Sequence, residues 1–303
     1  MASTTTRARP RLGMIGSALV TTLAVAALAL LGTRMLHASP PADIQTEQTS
    51  VPGLIWSEEF NGPAEQGVDR SRWRVAEGAG GWGNNELQNY TDKPANLALD
   101  GEGHLAITAQ RQRTTDKQGR EWPYTSARIS SIPTAPNGRI EARINVPAGA
   151  GLWSAFWTLG KNHGKVGWPT SGEIDVMETM NDTAEVNANA HAASVDAGGQ
   201  FIGRWQKLQA TRPANPVGGS WHTYTLERKN DELRFLLDGV EFHRIRADEL
   251  TDGQQWPFNQ PQQVLLNLAV GGDWPGAPNT STPFPATMLV DYVRVYDTSV
   301  LDW

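Results

Sequence analysis

The 303-residue chain has no cysteine. Disulfides, zinc–thiolate centres and cysteine nucleophiles are therefore excluded, although the absence says little about compartment. Long helical periodicity is missing as well. No stretch keeps apolar residues at three- and four-residue spacing over several turns. Basic charge is scarce: lysine and arginine number 26 against 32 acids, a formal net charge of −6. Acids in turn are absent from residues 1–38, which carry Arg7, Arg9, Arg11 and Arg34. Without those four arginines the remainder stands at −10 (−6 − 4). A domain of that charge is a poor partner for nucleic acid, which needs a basic face.

Leu12 to Thr33 is a run of 22 uncharged residues whose most apolar part is Leu23–Leu31. Arginines, an apolar core and then LHASPPA form the pattern of an export signal over 1–38, with cleavage after Ala38. An uncleaved anchor is the alternative, because a run of this length also spans a bilayer. Either way the rest of the chain is expected outside the cytoplasm. It meets a membrane only if this segment is retained. Residues 39–52 read as a polar linker. From Gly53 onward no second linker, low-complexity run or clear repeat interrupts the chain, so 53–303 is expected to be one domain acting as a monomer.

That domain reads as all-β. Arg139–Pro147 alternates strictly, with Ile140, Ala142, Ile144 and Val146 on one face and Arg139, Glu141, Arg143 and Asn145 on the other. Glu232–Ile245 is two strand-like runs around Asp238-Gly239, a strong hairpin signal. Leu97–Gln110 holds another Asp-Gly between two such runs. Thirty glycines and nineteen prolines supply many turns, and many short strands between turns imply a sandwich or jelly roll. All twelve tryptophans lie after residue 50. Any one of them is better read as core. Twelve together, several beside glycine or proline, point to exposed platforms suited to the apolar faces of sugar rings.

Chemistry concentrates in SGEIDVMETM, Ser171–Met180. In a regular strand Glu173 and Asp175 share a face, and a third acid would belong at 177. That position is Met177, and Glu178 arrives one residue late. A β-bulge near Val176–Met177 returns Glu178 to the face of the other two, and bulges re-aim side chains beside active sites. Three carboxylates on one face repel and raise each other's pKa, a cost without use in a structural strand. Glycoside hydrolysis uses such a set: one carboxylate attacks the anomeric carbon while another, kept protonated, serves the leaving oxygen. A solvated acidic edge strand and a cation site are the alternatives. Ile174, Val176 and Met177 weigh against the first, and the lack of a calcium-loop pattern against the second.

The run EIDVME resembles the active-site signature of glycoside hydrolase family 16 in its bulged form. LIWSEEFNG, GGWGNNELQNYT, YTSARISS, GLWSAFWTLG, NLAVGGDWPG and VDYVRVY follow in the family's order across nearly all of 54–296. The resemblance implies a β-jelly-roll of two curved antiparallel sheets with a concave cleft. It implies Glu173 as nucleophile, Glu178 as general acid/base and Asp175 as the group that hydrogen-bonds the nucleophile and helps separate the two pKa values, in a retaining double displacement that needs no redox cofactor or catalytic metal. GGWGNNELQ and NLAVGGDWPG are similar to the laminarinase branch, which implies β-1,3-glucan as substrate, with a glucan-recognition protein, a transglycosylase or a galactanase as alternatives on the same fold.

The resemblance also implies cleft tryptophans at Trp153, Trp157, Trp168 and Trp274, with Trp157 the best candidate for a structural role. Asn84 and Arg128 match sugar-binding or acid-orienting positions, Arg128 having a sheet-edge ion pair as its alternative. His191 matches a histidine beside the acid strand that could bond near Glu178. Glu59 and Asp291 match positions that hold a structural calcium in some relatives. The chain departs from the pattern at Asn187, where a histidine is common, at Arg228 and Phe235, where tryptophans are common, and throughout 192–216.

Overall fold

The computed structural model describes residues 51–303, so the export segment, Ala38 and all but the end of the linker lie outside the described residues. The hairpin expected at Asp238-Gly239 joins strands Glu232–Leu237 and Val240–Arg246. Both turn residues take positive φ, 51° and 79°, as a tight two-residue turn between right-twisted strands requires. The Asp-Gly at 100–101 likewise separates paired antiparallel strands, Leu97–Leu99 and Leu105–Ala109. The alternation in Gly138–Asn145 is realised residue by residue: Ile140, Ala142 and Ile144 are buried and the residues between them half-buried.

Two antiparallel eight-stranded sheets carry the fold. The first runs, edge to edge, Val240–Arg246, Glu232–Leu237, Trp221–Lys229, Gly138–Asn145, Ala286–Tyr296, Leu105–Ala109 and Leu97–Leu99, with Leu54–Glu58 also on Ala286–Tyr296. The second runs Phe201–Gln206, Val186–Val195, Glu173–Asn181, Gly149–Gly160, Gln262–Val270, Arg128–Ala135 and Trp73–Ala76, with Gln209–Thr211 also on Val186–Val195. Among the described residues helix is limited to single turns such as His163–Val166. No helix among the described residues is long and apolar enough to cross a membrane.

The core lies between the sheets. Ile140, Ile144, Leu226, Val290 and Val293 of the first sheet join Phe156, Ile174, Val176, Met177, Leu266 and Leu268 of the second. Each buried side chain of this size contributes roughly 1.5–3 kcal/mol relative to exposure. Two departures from the family pattern belong to this core. Phe235 is fully buried and stacks on His243, with ring centroids 5.2 Å apart. Arg228 is also buried, and its guanidinium donates to the carbonyls of Ala135, Pro136, Phe258 and Gln260. Burial lowers its pKa to about 9, so it keeps its charge at neutral pH. Four backbone carbonyls thus converge on the guanidinium.

Candidate active site

Glu173–Asn181 is a central strand of the second sheet, and its two neighbours reveal the bulge. Against Gly149–Gly160, Asp175 pairs with Trp157 and Met177 with Phe156, leaving Val176 without a counterpart. The register against Val186–Val195 shifts at the same place, between Asp175 and Glu178. Val176 and Met177 therefore both enter the core, and Glu173, Asp175 and Glu178 share the outer face. The strand is fixed at its start by Gly172, whose φ is 75°. A Cβ there would lie 2.7 Å from Pro257 Cγ. Only glycine takes both that conformation and that contact without strain.

The acids are shielded. Asp175 and Glu178 are buried and Glu173 is half-buried. Burial, then the neighbouring Asp175, push the Glu173 carboxyl well above its usual range. The Arg128 charge, the Trp168 indole N–H and the Arg204 charge oppose that rise. Burial, Asp175 and Glu173 raise Glu178 in the same way, opposed by the Trp153 indole N–H alone. That indole donates to Glu178 Oε1 at 3.0 Å. Cationic charge thus favours ionisation of Glu173 over Glu178.

His191 stands elsewhere than expected. Antiparallel register sets it opposite Glu173, not near Glu178. Its Nε2 lies 3.3 Å from Asp175 Oδ2 and 3.9 Å from Glu173 Oε1. No hydrogen bond joins it to Asp175, whose Oδ2 has no partner among the described residues. Asn189 Oδ1 accepts from the Ala190 N–H, so its Nδ2 faces His191 Nε2 as donor, at 2.9 Å. Asn187, the substituted histidine position, is the residue opposite Glu178. It donates to the Glu178 backbone carbonyl at 3.3 Å.

The tryptophans divide by exposure. Trp168 and Trp274 are 44% and 42% exposed and can receive a ring, whereas Trp153 is buried beneath Trp274, in edge contact at 5.7 Å. Trp157 donates to Asn267 Oδ1 at 2.7 Å and lies under Arg128. Arg128 makes no sheet-edge ion pair among the described residues. Its guanidinium sits between two indoles, 4.9 Å from Trp82 and 4.6 Å from Trp157. Asn84 is exposed and donates to Glu86 Oε1 at 3.3 Å.

Glu86 was not singled out by sequence. It is a buried carboxylate, raised by burial, that accepts from Gln88 at 2.6 Å and from the Tyr90 hydroxyl at 3.2 Å. Tyr90 accepts from Asn267, linking this network to Trp157. The signal was present in GGWGNNELQNY, where Glu86, Gln88 and Tyr90 alternate. Beyond Glu178, a cleft of about 270 Å³ is lined by Asp182, Glu185, Asn187, Arg212 and Trp274.

The calcium expectation does not fit. Glu59 accepts a two-pronged contact from Arg294, at 3.0 and 2.8 Å, and Asp291 accepts from Arg143 at 2.6 Å. Each carboxylate already faces its own arginine, and a guanidinium beside the oxygens opposes a divalent cation. Neither residue belongs to a three-ligand cluster among the described residues.

Residues 82–294 match Glycosyl hydrolases family 16. A beta-glucanase of Rhodothermus marinus is 35% identical over 260 residues, covering 80% of this chain and 84% of that one. The laminarinase catalytic domain of Thermotoga maritima superposes with a TM-score of 0.72 at 37% identity, covering 80% and 97%. The endo-beta-1,3-glucanase of Pyrococcus furiosus gives 0.72 at 36%, covering 80% and 94%. Two other relatives are larger proteins, of which the chain spans 34% and 37%. With this sheet order, this acid strand and these matches, the chain belongs to glycoside hydrolase family 16.

Proposed function

We propose that the protein is an exported endo-β-1,3-glucanase that retains anomeric configuration. The observation that carries the mechanism is the bulge at Val176, which puts three carboxylates, two buried and one half-buried, on one face with unequal surroundings. Glu173, nearer the positive charges of Arg128 and Arg204, attacks the anomeric carbon as carboxylate. Glu178, with only an indole N–H to oppose its protonation, holds the proton that goes to the leaving oxygen. It then takes a proton from the water that hydrolyses the glycosyl-enzyme ester. Asp175, between them, repels a further negative charge and so helps to hold the proton on Glu178. Trp168 and Trp274 offer stacking surfaces at the two ends of the acid row. The β-1,3-glucan assignment is supported by the relatives named laminarinase and endo-beta-1,3-glucanase. Export rests on the N-terminal pattern.

The test is to incubate the protein with laminarin, mixed-linkage β-glucan, agarose and carrageenan and to measure new reducing ends and product sizes. Oligosaccharides from laminarin, with or without mixed-linkage glucan, are expected. Cleavage of a galactan instead overturns the substrate. Binding of laminarin without cleavage of any polymer makes the protein a recognition module. Glu173→Gln should lower turnover by roughly a thousandfold or more with the fold intact. Near-normal activity removes Glu173 from the nucleophile role.

A further inference from the structure

Arg204 lies in the segment that departs most from the family pattern, on the edge strand Phe201–Gln206. Register fixes its direction. His191 pairs with Gln206 and Ala193 with Arg204, so Arg204 shares the outer face with His191. Trp205, between them, points the other way and is buried in the core. The guanidinium sits 5.3 Å from the centroid of Trp168, which is 44% exposed, and Trp168 in turn leans on His191 at 6.2 Å. Arg204 is close enough to Glu173 to be one of the charges acting on it.

What Arg204 lacks is an anion. On the first sheet, Arg139, Arg143, Arg234, Arg244 and Arg294 each meet a carboxylate. Arg204 meets none among the described residues, and it is exposed. A guanidinium offers five donors in a planar fork suited to an oxyanion. Stacking on the indole presets its plane while leaving those donors free. The opposite end of the acid row has the reverse character: Asp182 and Glu185 line the cleft by Trp274, where the cation Arg212 is already paired with Glu185.

We propose that Arg204 and Trp168 form a subsite for a glucan unit bearing an anionic substituent, a carboxylate or a sulfate ester, at the Glu173 end of the cleft. Building on the glucanase reading, this makes the substrate class a β-glucan carrying sparse negative charge. Trp168 receives the apolar ring face and Arg204 the substituent's oxygens. Dense negative charge is disfavoured by the acidic domain and by Asp182 and Glu185, so acceptance is confined to one position.

The experiment compares kcat/KM on native laminarin with that on laminarin sparsely oxidised at C6 and on sparsely sulfated laminarin. Wild type, Arg204→Gln, Arg204→Lys and Arg244→Gln are assayed. The ratio of anionic to native substrate should fall about tenfold in Arg204→Gln, the size of one charge-assisted hydrogen bond. It should be kept in larger part by Arg204→Lys and stay unchanged in Arg244→Gln, which removes the same charge on the other sheet. A fall for one modified substrate alone identifies which oxyanion is taken. An unchanged ratio in Arg204→Gln, or an equal fall in Arg244→Gln, overturns the proposal. If wild type cleaves no laminarin, the glucanase reading fails by itself. Calorimetric binding of native and C6-oxidised laminarihexaose then decides: tighter binding of the oxidised form that Arg204→Gln abolishes supports the subsite, and equal binding refutes it.

Discussion

Trp153 donates its indole N–H to Glu178 Oε1 at 3.0 Å, and among the groups acting on that carboxyl it is the one that favours the ionised form. Asp175 acts in the opposite sense and more strongly. The pH at which Glu178 loses its proton is therefore set between two neighbours that can be removed separately.

Trp153→Phe removes the donor, so Glu178 should hold its proton to higher pH and the alkaline limb of kcat/KM should move up. Asp175→Asn removes a repelling charge, so the same limb should move down, with a loss of roughly tenfold or more in turnover. Shifts in the same direction for both variants would remove Glu178 from the role of proton donor.

Glu178→Gln should stabilise the fold while removing activity. The carboxyl is raised in the folded state above its ordinary 4.5, so folded protein binds the proton more tightly than unfolded chain. Its contribution is present below that ordinary value and is lost as pH rises through the folded pKa. At pH 7 the glutamine variant should melt about 2–4 °C higher than wild type, and the gap should close near pH 4. Calorimetric scans at the two pH values measure it.

Gly172→Ala places a methyl group against Pro257 at a φ that L-residues avoid. A cost of about 1–3 kcal/mol is expected by chemical denaturation. Turnover should fall as well, because Glu173 is the next residue.

Arg228→Met leaves four backbone carbonyls without their donor. Loss of about 3 kcal/mol or more is expected. The effect should reach the acid strand, because Gln260, one of the four, donates through Nε2 to the Ser171 carbonyl at 2.7 Å. Unchanged stability would mean that water replaces the guanidinium.

The strands and the bulge were legible because they are written in local order. Alternation in Arg139–Asn145, Asp-Gly at two turns and the late arrival of Glu178 each depend on residues within reach of one another. The partner of His191 was not legible. Glu173 and His191 are eighteen positions apart, and which acid the histidine faces depends on where the intervening turn sets the register. The ion-pair alternative for Arg128 fails for a similar reason: the two indoles that hold it come from positions 82 and 157. Family resemblance carried Glu59 and Asp291 toward calcium, but the arginines at 143 and 294 reach them first. Arg204 escaped notice because nothing about a lone arginine in an unfamiliar segment marks its face. Only the pairing of Ala193 with Arg204 does so.

The neighbour of the acid strand takes four steps, from Leu159 to Ala155, where the acid strand takes five, from Glu173 to Glu178. Length and parity are therefore uncoupled in this strand. Removing Val176 would restore plain alternation and still present all three carboxylates outward, over an unchanged span of about 13 Å along the partner. Adding a residue at the same point makes six steps, which also leaves Glu178 outward, but moves it two residues further along the partner and stretches the row to about 20 Å. Single-residue deletion and single-residue insertion at one site are thus unequal events, the first keeping the spacing of the acid row and the second stretching it.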